Sequence, residues 1–390
     1  VNVFTTDDEK AAGFANVFAE PFKLSTNIRS TIELEANAVY QHYADTDHRI
    51  MSFNRTQSAL LNENQETINR ASKFLSNATA DELNTSTDDV EKRRHFTLAT
   101  EVQQIIKTRN AKKSSGFDSL PNYAIKRLSP NFIIFVTALF NHIINNSYFP
   151  TAWKQTEVIP VPKPGKNRQL VTSYRPIAQL SSLSKILEKI YDIRIRSFMQ
   201  SKGLFDKFQF GFKACNSTIH PIAKQINDAS TGLNINMPTV VTTLDFKSAF
   251  DTIWHKGLIR KMKTMKFDEH IIRFVQSYLS GRTFRALVNG AKSETMKCES
   301  GCPQGSVISS LLFLSYVNDF PTITSRAKAC RLLFVAYVTC KSIEAAQKII
   351  NKYLNEVLEY TKKWKLILNP AKSEAMTIVG STNAKNLVLT

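Results

Sequence analysis

The chain has 390 residues, 43% hydrophobic and 22% charged, which is ordinary for a globular protein and long enough for two or three domains with real cores. Its 51 Lys and Arg against 33 Asp and Glu leave a net charge of +18, spread along the whole length, and this points to a polyanionic partner such as nucleic acid. Five cysteines without a CxxC pair exclude a zinc module and a disulfide framework, and predict free thiols in an intracellular, reducing compartment, cytoplasmic or nuclear. The first residue is valine, which predicts a piece of a longer product. No signal peptide is legible, and the most apolar run, Phe132–Ile144, is too short to span a bilayer, so no membrane association is expected.

Residues 1 to about 110 read as mainly helical, with Phe14, Val17, Phe18 and Phe22 at helical spacing. The Asn-, Thr- and Asp-rich stretch Ser76–Asp89 reads as a linker or exposed loop, and Thr97–Lys107 as an amphipathic helix. After the basic turn 112–116, helices are predicted from Leu120 and over Phe132–Asn145. Thr156–Pro162 reads as a strand interrupted by prolines, hence an edge strand. The loop 163–168 that follows it, KPGKNR, is basic and turn-forming, suited either to a mobile hairpin that touches phosphates or to a solvated turn. A helix from Ser182 to about Met199 carries Lys185, Lys189, Arg194 and Arg196, more basic charge than solubility requires.

The aromatic segment at Gln209–Phe212 precedes a polar helix to about Ser230, and Val240–Leu244 has the β-branched composition of a strand. Further helices are predicted through Lys266 and over Glu269–Leu279, then a hairpin around Asn289-Gly290. The glycine-bracketed loop 301–306 opens a helix over Val307–Asp319. Arg331–Thr339 reads as a hydrophobic strand and Ile343–Lys363 as a long amphipathic helix, and Leu366–Leu368 with Ala375–Val379 reads as a last hairpin.

Within this order, Val240–Asp251, VVTTLDFKSAFD, carries the most chemistry. Asp245 closes the strand, with Phe246 behind it and Phe250 and Asp251 past the turn. A carboxylate at the end of a buried strand is costly to keep ionised unless it meets a cation or hydrogen-bond donors. Local sequence leaves two readings of Asp245 open: a metal ligand beside a flat-ringed substrate, or the cap of a helix starting near Ser248.

Seven blocks follow one another along the chain: KSSGFD (113–118), VIPVPKPGK (158–166), SYRPIAQLSSLSKILEKI (173–190), FQFGFKACNST (208–218), LDFKSAFD (244–251), GCPQGSVISSLLFLSYVNDF (301–320) and WKLILNPAKSE (364–374). Their order and spacing resemble the reverse transcriptase domain of non-LTR retrotransposons, most closely the jockey-type elements, over nearly the whole chain from about residue 95. The resemblance implies an α+β right-hand polymerase with an antiparallel palm sheet and a helical N-terminal extension. The implied divisions are 1–95 for an extension after a missing endonuclease, 96–235 for fingers, 236–342 for palm and 343–390 for a truncated thumb. It further implies RNA-directed DNA synthesis on an RNA template and DNA primer, with dNTP as substrate and two Mg2+ ions held by palm carboxylates. Asp245 matches the first metal ligand, with the Phe246 carbonyl beside it. Phe250 matches the aromatic under the ribose, Gln304 and Gly305 the loop bordering the nascent base pair, and Lys163 and Arg175 finger residues on triphosphate or template.

The pattern breaks where the family carries a second acid pair, F/Y-A-D-D-T. The segment at that place is LFVAYVT, Leu333–Thr339, in which Ala336 and Thr339 keep the frame while Tyr337 and Val338 stand at the positions of the two aspartates. Valine has no donor atom, and a neutral phenol is a poor ligand for a hard cation that favours anionic oxygen. Asp251 and Glu344 are not expected to substitute. Ser310 for proline and Asn216 for histidine agree with drift. Loss of polymerase activity is therefore expected. The two functions in competition are an impaired polymerase domain and a non-catalytic, repurposed nucleic-acid-binding protein on the same scaffold. Val338 and Asp245 are expected on neighbouring strands, with their Cα atoms within several ångströms.

Overall fold

Among the described residues there are two sheets, one in each of two units: residues 1–198 with 255–309, and 199–254 with 310–390. The computed structural model describes residues 6–23, 33, 35–42, 96–113, 115–205, 211–212, 219–321, 327–330 and 334–380, so the linker expected at Ser76–Asp89 lies outside the described residues. In chain order the helices of the described residues include α1 (Asp7–Ala19), α2 (Ala99–Thr108), α3 (Asn122–Ile125), α4 (Pro130–Asn145), α5 (Ser182–Ser201), α6 (Ile219–Asn234), α7 (His255–Thr264), α8 (Glu269–Leu279), α9 (Ser309–Tyr316) and α10 (Ile343–Lys363). The strands are β1 (Gln155–Pro162), β2 (Tyr174–Gln179), β3 (Thr239–Thr243), β4 (Thr283–Val288), β5 (Ala291–Lys292), β6 (Met296–Lys297), β7 (Ala327–Cys330), β8 (Val335–Thr339) and β9 (Glu374–Ile378). The α+β class expected from the sequence is the class observed.

The first unit holds the mixed sheet β2-β1-β4-β5, with β6 also on β4. Strand β1 is interior, not an edge: it pairs antiparallel with β2 and parallel with β4. Its prolines are tolerated because the β4 pairing ends at Val158, so Pro160 and Pro162 face a neighbour on one side only. Helix α1 starts at a capping box, Thr6 and Glu9 exchanging side-chain and backbone bonds, and lays Phe14 and Phe18 on Val158, Phe284 and Ala286. The turn after β4 uses Asn289 and Gly290 at φ 48° and 93°, the left-handed pair that a tight hairpin favours.

The second unit holds the antiparallel sheet β7-β8-β3-β9. One face buries Val240 and Val338 under Ile343, Ala346 and Ile350 of α10. The other groups Val241, Val335 and Tyr337 with Ile378 at its margin. The last strand does not fold back on 366–368. It pairs with β3 from Thr239↔Ile378 to Thr243↔Glu374, while Leu368 makes a single bridge to Phe246. The pleat explains the choice, because joining β3 places Ile378 beside that apolar cluster.

Candidate functional site

Asp245 stands just beyond β3, and its surroundings come from both neighbouring segments of the second unit. Its amide donates to Ser373 Oγ (3.3 Å), and its carbonyl accepts from Asn369 N–H (2.8 Å). Its carboxylate Oδ2 accepts from Asn369 Nδ2 (3.2 Å) and lies 3.6 Å from Lys372 Nζ. The side chain keeps 43% of its exposure and opens on a cleft of about 450 Å³ that Phe246, Ala249, Phe313 and Phe334 help to line. The helix-cap reading fails, since residues 248–252 form turns, Ser248 sits at φ 51°, and the next helix begins at His255.

The aromatic side chains around the cleft are packed on one another. Phe246 is buried and meets Phe334 edge-on at 4.5 Å and Phe320 at 6.0 Å. Phe250 lies 5.3 Å from Phe313 and 5.9 Å from Phe212. Leu244 N–H donates to Phe334 O, so the segment alongside Asp245 presents phenylalanine.

Tyr337 and Val338 lie elsewhere on the sheet. The β3–β8 register pairs Val241 with Tyr337 and Val240 with Val338. Asp245 is four and five residues beyond those partners, about 13 and 16 Å along an extended strand. The expected close approach of Asp245 and Val338 is therefore corrected: the strands are neighbours, but the residues are not level. The physical reason is local. Val335, Ala336, Tyr337, Val338 and Thr339 run on as one regular strand with strong β-formers at four of five places, where two adjacent aspartates would oppose a strand. Tyr337 is buried and its hydroxyl donates to Asp228 Oδ2 on α6 (2.6 Å), while Val338 is fully buried under α10.

A pair of divalent ions needs several anionic or carbonyl oxygens at short range. At Asp245 one carboxylate faces an ammonium, an amide N–H and phenyl rings, and this donor set does not fit such a centre. Among the described residues no group of three or more His, Cys, Asp or Glu side chains converges on a common metal position.

The remaining expected residues belong to the first unit, where they gather on β1 and β2. Pro162 pairs with Tyr174 and Val161 with Arg175, which puts Lys163 and Arg175 at the same end of one hairpin. Arg175 is exposed, while Lys163 Nζ donates to Thr172 O (2.8 Å). Gln304 O accepts from Ala178 N–H of β2 (2.8 Å). Gly305 has φ +119°, and a Cβ there would meet Ala178 O at 2.9 Å, so only glycine suits this contact. Asp245 with Phe246 and Phe250 thus forms one group, and Lys163, Arg175, Gln304 and Gly305 another.

The basic charge of α5 is less available than its count suggests. Asp192 pairs with Lys189 and Arg196 at 2.8 Å each, and Arg194 donates to Phe96 O with Glu101 3.8 Å away. Sequence reasoning missed the buried Glu188 on the same helix. Its Oε2 accepts from Ser306 Oγ (2.7 Å) and Val307 N–H (2.8 Å), and its Oε1 from Ser184 Oγ (2.7 Å). Burial pushes the Arg109 guanidinium and the Lys185 ammonium down, and the Glu188 charge partly opposes this in both. The local sequence signal for Glu188 is absent, because one Glu in a mixed helix reads as a solvated face.

The family model described as reverse transcriptase (RNA-dependent DNA polymerase) matches residues 161–389. The RNA-directed DNA polymerase from mobile element jockey of Drosophila melanogaster is 32% identical over 293 residues, 73% of this chain and 32% of that protein. The probable RNA-directed DNA polymerase from transposon X-element of the same species is 31% identical over 280 residues, 70% of this chain and 31% of that protein. The chain therefore spans about a third of the length of these relatives. Among solved structures, apo telomerase from Candida tropicalis, truncated of its C-terminal domain, is similar at TM-score 0.43 and 13% identity, covering 96% of this chain and 91% of that one.

Proposed function

Since the chain belongs to the reverse transcriptase (RNA-dependent DNA polymerase) family, we propose that this non-LTR retrotransposon domain has lost nucleotidyl transfer and keeps the binding of a primer–template. In this reading the antiparallel sheet of the second unit is the palm, Asp245 is the remnant of its metal site, and Phe250 is the residue under the ribose. Lys163, Arg175, Gln304 and Gly305 serve the template and the incoming dNTP.

The observation that carries the loss is the fate of the two substituted positions. Tyr337 spends its hydroxyl on Asp228, Val338 packs under α10, and Asp245 keeps Lys372 and Asn369 for company. Nucleotidyl transfer by two metal ions needs carboxylates that clamp both the attacking and the leaving oxygen. One carboxylate with an ammonium beside it supports at most weak Mg2+ binding. The same packing favours a second reading, a repurposed binding protein, because both substituted residues are satisfied within the core.

Primer extension on an RNA template with Mg2+ or Mn2+ tests the loss. No extension is expected above a no-enzyme control, and robust synthesis by the purified chain sinks the proposal. Fluorescence anisotropy with a labelled RNA–DNA hybrid tests the retained half, and a chain that fails to bind it at low salt removes that half.

A further inference from the structure

The loop that carries Gln304 and Gly305 is held from inside the first unit. On one side Ala178 N–H donates to Gln304 O, and Gly305 packs against Ala178 O where a Cβ would be too close. On the other side is Glu188, which is fully buried on α5. Its Oε2 takes both the Ser306 hydroxyl proton and the Val307 N–H, two consecutive residues of the loop. Ser306 is tied further: its Oγ accepts from the buried Tyr278 hydroxyl (2.8 Å) and from Ile308 N–H (3.2 Å). Ser309 Oγ and Ser306 N–H both donate to Pro303 O, at 3.0 and 3.2 Å.

A buried carboxylate is expensive unless its lone pairs are filled, and removing it leaves buried donors without partners. Glu188 meets that condition through donors from two elements, and those on its Oε2 come from the segment that follows Gly305. We propose that Glu188 is a positioning residue: it fixes the loop 303–307 so that Gln304 and Gly305 keep their place on β2, and through the loop it sets how tightly a primer–template is held. The second half of this statement rests on the binding function proposed above, and the first half does not.

The test compares the chain with Glu188→Ala and Glu188→Gln in two measurements. Glutamine keeps the shape, and one orientation still offers oxygen to Ser306 and Val307 while Ser184 turns to accept. Hydrogen exchange of a peptide covering 303–308 reads the loop directly. In Glu188→Ala its exchange is expected to speed up about tenfold or more, with α10 unchanged, and in Glu188→Gln to return to within about threefold of the original. Affinity for an RNA–DNA hybrid is expected to follow the same order, weaker by about tenfold in the alanine variant. Unchanged loop exchange in Glu188→Ala overturns the inference, and so does a loosened loop with unaltered affinity. If the original chain binds no hybrid, the proposed function fails, while the exchange data still decide whether Glu188 holds the loop. Should Glu188→Ala fail to fold, Ser306→Ala removes one donor and is read by the same two measurements.

Discussion

Tyr337 reaches Asp228 from a buried strand position at 2.6 Å, and this bond ties its hydroxyl into the fold. Tyr337→Phe deletes the hydroxyl and leaves the ring, so about 1–2 kcal/mol of stability should go with the bond to a partly buried carboxylate. Urea denaturation measures this, and an unchanged midpoint would mean that Asp228 finds water equally well. His255 makes a second prediction at the same scale. Burial pushes its imidazole down to about 4, and Nε2 donates to Gly301 O at 2.8 Å. The imidazole takes up its second ring proton near pH 6.5 in the unfolded chain and only near 4 in the folded one. Stability is therefore full above about pH 6.5 and falls between about 6.5 and 4, by on the order of 3 kcal/mol. His255→Gln keeps a donor for Gly301 and should flatten the difference between unfolding midpoints at pH 7.5 and 4.5. These residues also mark what sequence carries at this scale. Local sequence leaves Asp245 between a metal ligand and a helix cap, and the structure removes the cap because no helix starts at Ser248. Glu188 was invisible because the partners of its Oε2 lie in a loop more than a hundred residues away.

At the scale of elements, β8 decides the site. Five residues without a turn-former pair in register with β3, and the alternation sends Val338 to α10 and Tyr337 to α6. Val338→Asp in this register buries a carboxylate among Val240, Ile343, Ala346 and Ile350, and should cost on the order of 4 kcal/mol. Val338→Ala loses only packing, about 2 kcal/mol. Chemical denaturation of both variants compares them. If the aspartate costs no more than the alanine, the strand has slipped and its acid has reached solvent, and the double variant Tyr337→Asp with Val338→Asp then becomes the one in which to look for primer extension. Element types were largely legible: α10 and α8 occupy the ranges their apolar periodicity predicts. Partners were less so. The prolines of β1 pointed to an edge, yet they lie past the end of its pairing with β4. The last strand chose β3 over a hairpin because burial of Ile378 is a long-range gain that no local pattern encodes.

At the scale of the whole molecule, the net charge of +18 favours a polyanionic partner whether or not the chain catalyses synthesis. Several basic side chains are held internally, as Asp192 holds Lys189 and Arg196, so formal charge overstates the free cations. The exposed Lys166, Arg168 and Arg175 of the β1–β2 hairpin form no ion pair among the described residues, and in the proposed binding function they are the side chains that would contact phosphate without help from a metal. Each phosphate neutralised releases condensed counterions, so log K falls linearly with log salt. With about three such contacts, affinity for a nucleic-acid duplex should drop about 40-fold between 50 and 200 mM salt. Arg168→Ala and Arg175→Ala should each lower the slope by about one, while Lys189→Ala, which loses an internal ion pair, should leave it unchanged. Anisotropy titrations at four salt concentrations give the slopes. A flat dependence, or a slope that moves equally with Lys189, would mean that the charge serves solubility and that the hairpin does not touch phosphate.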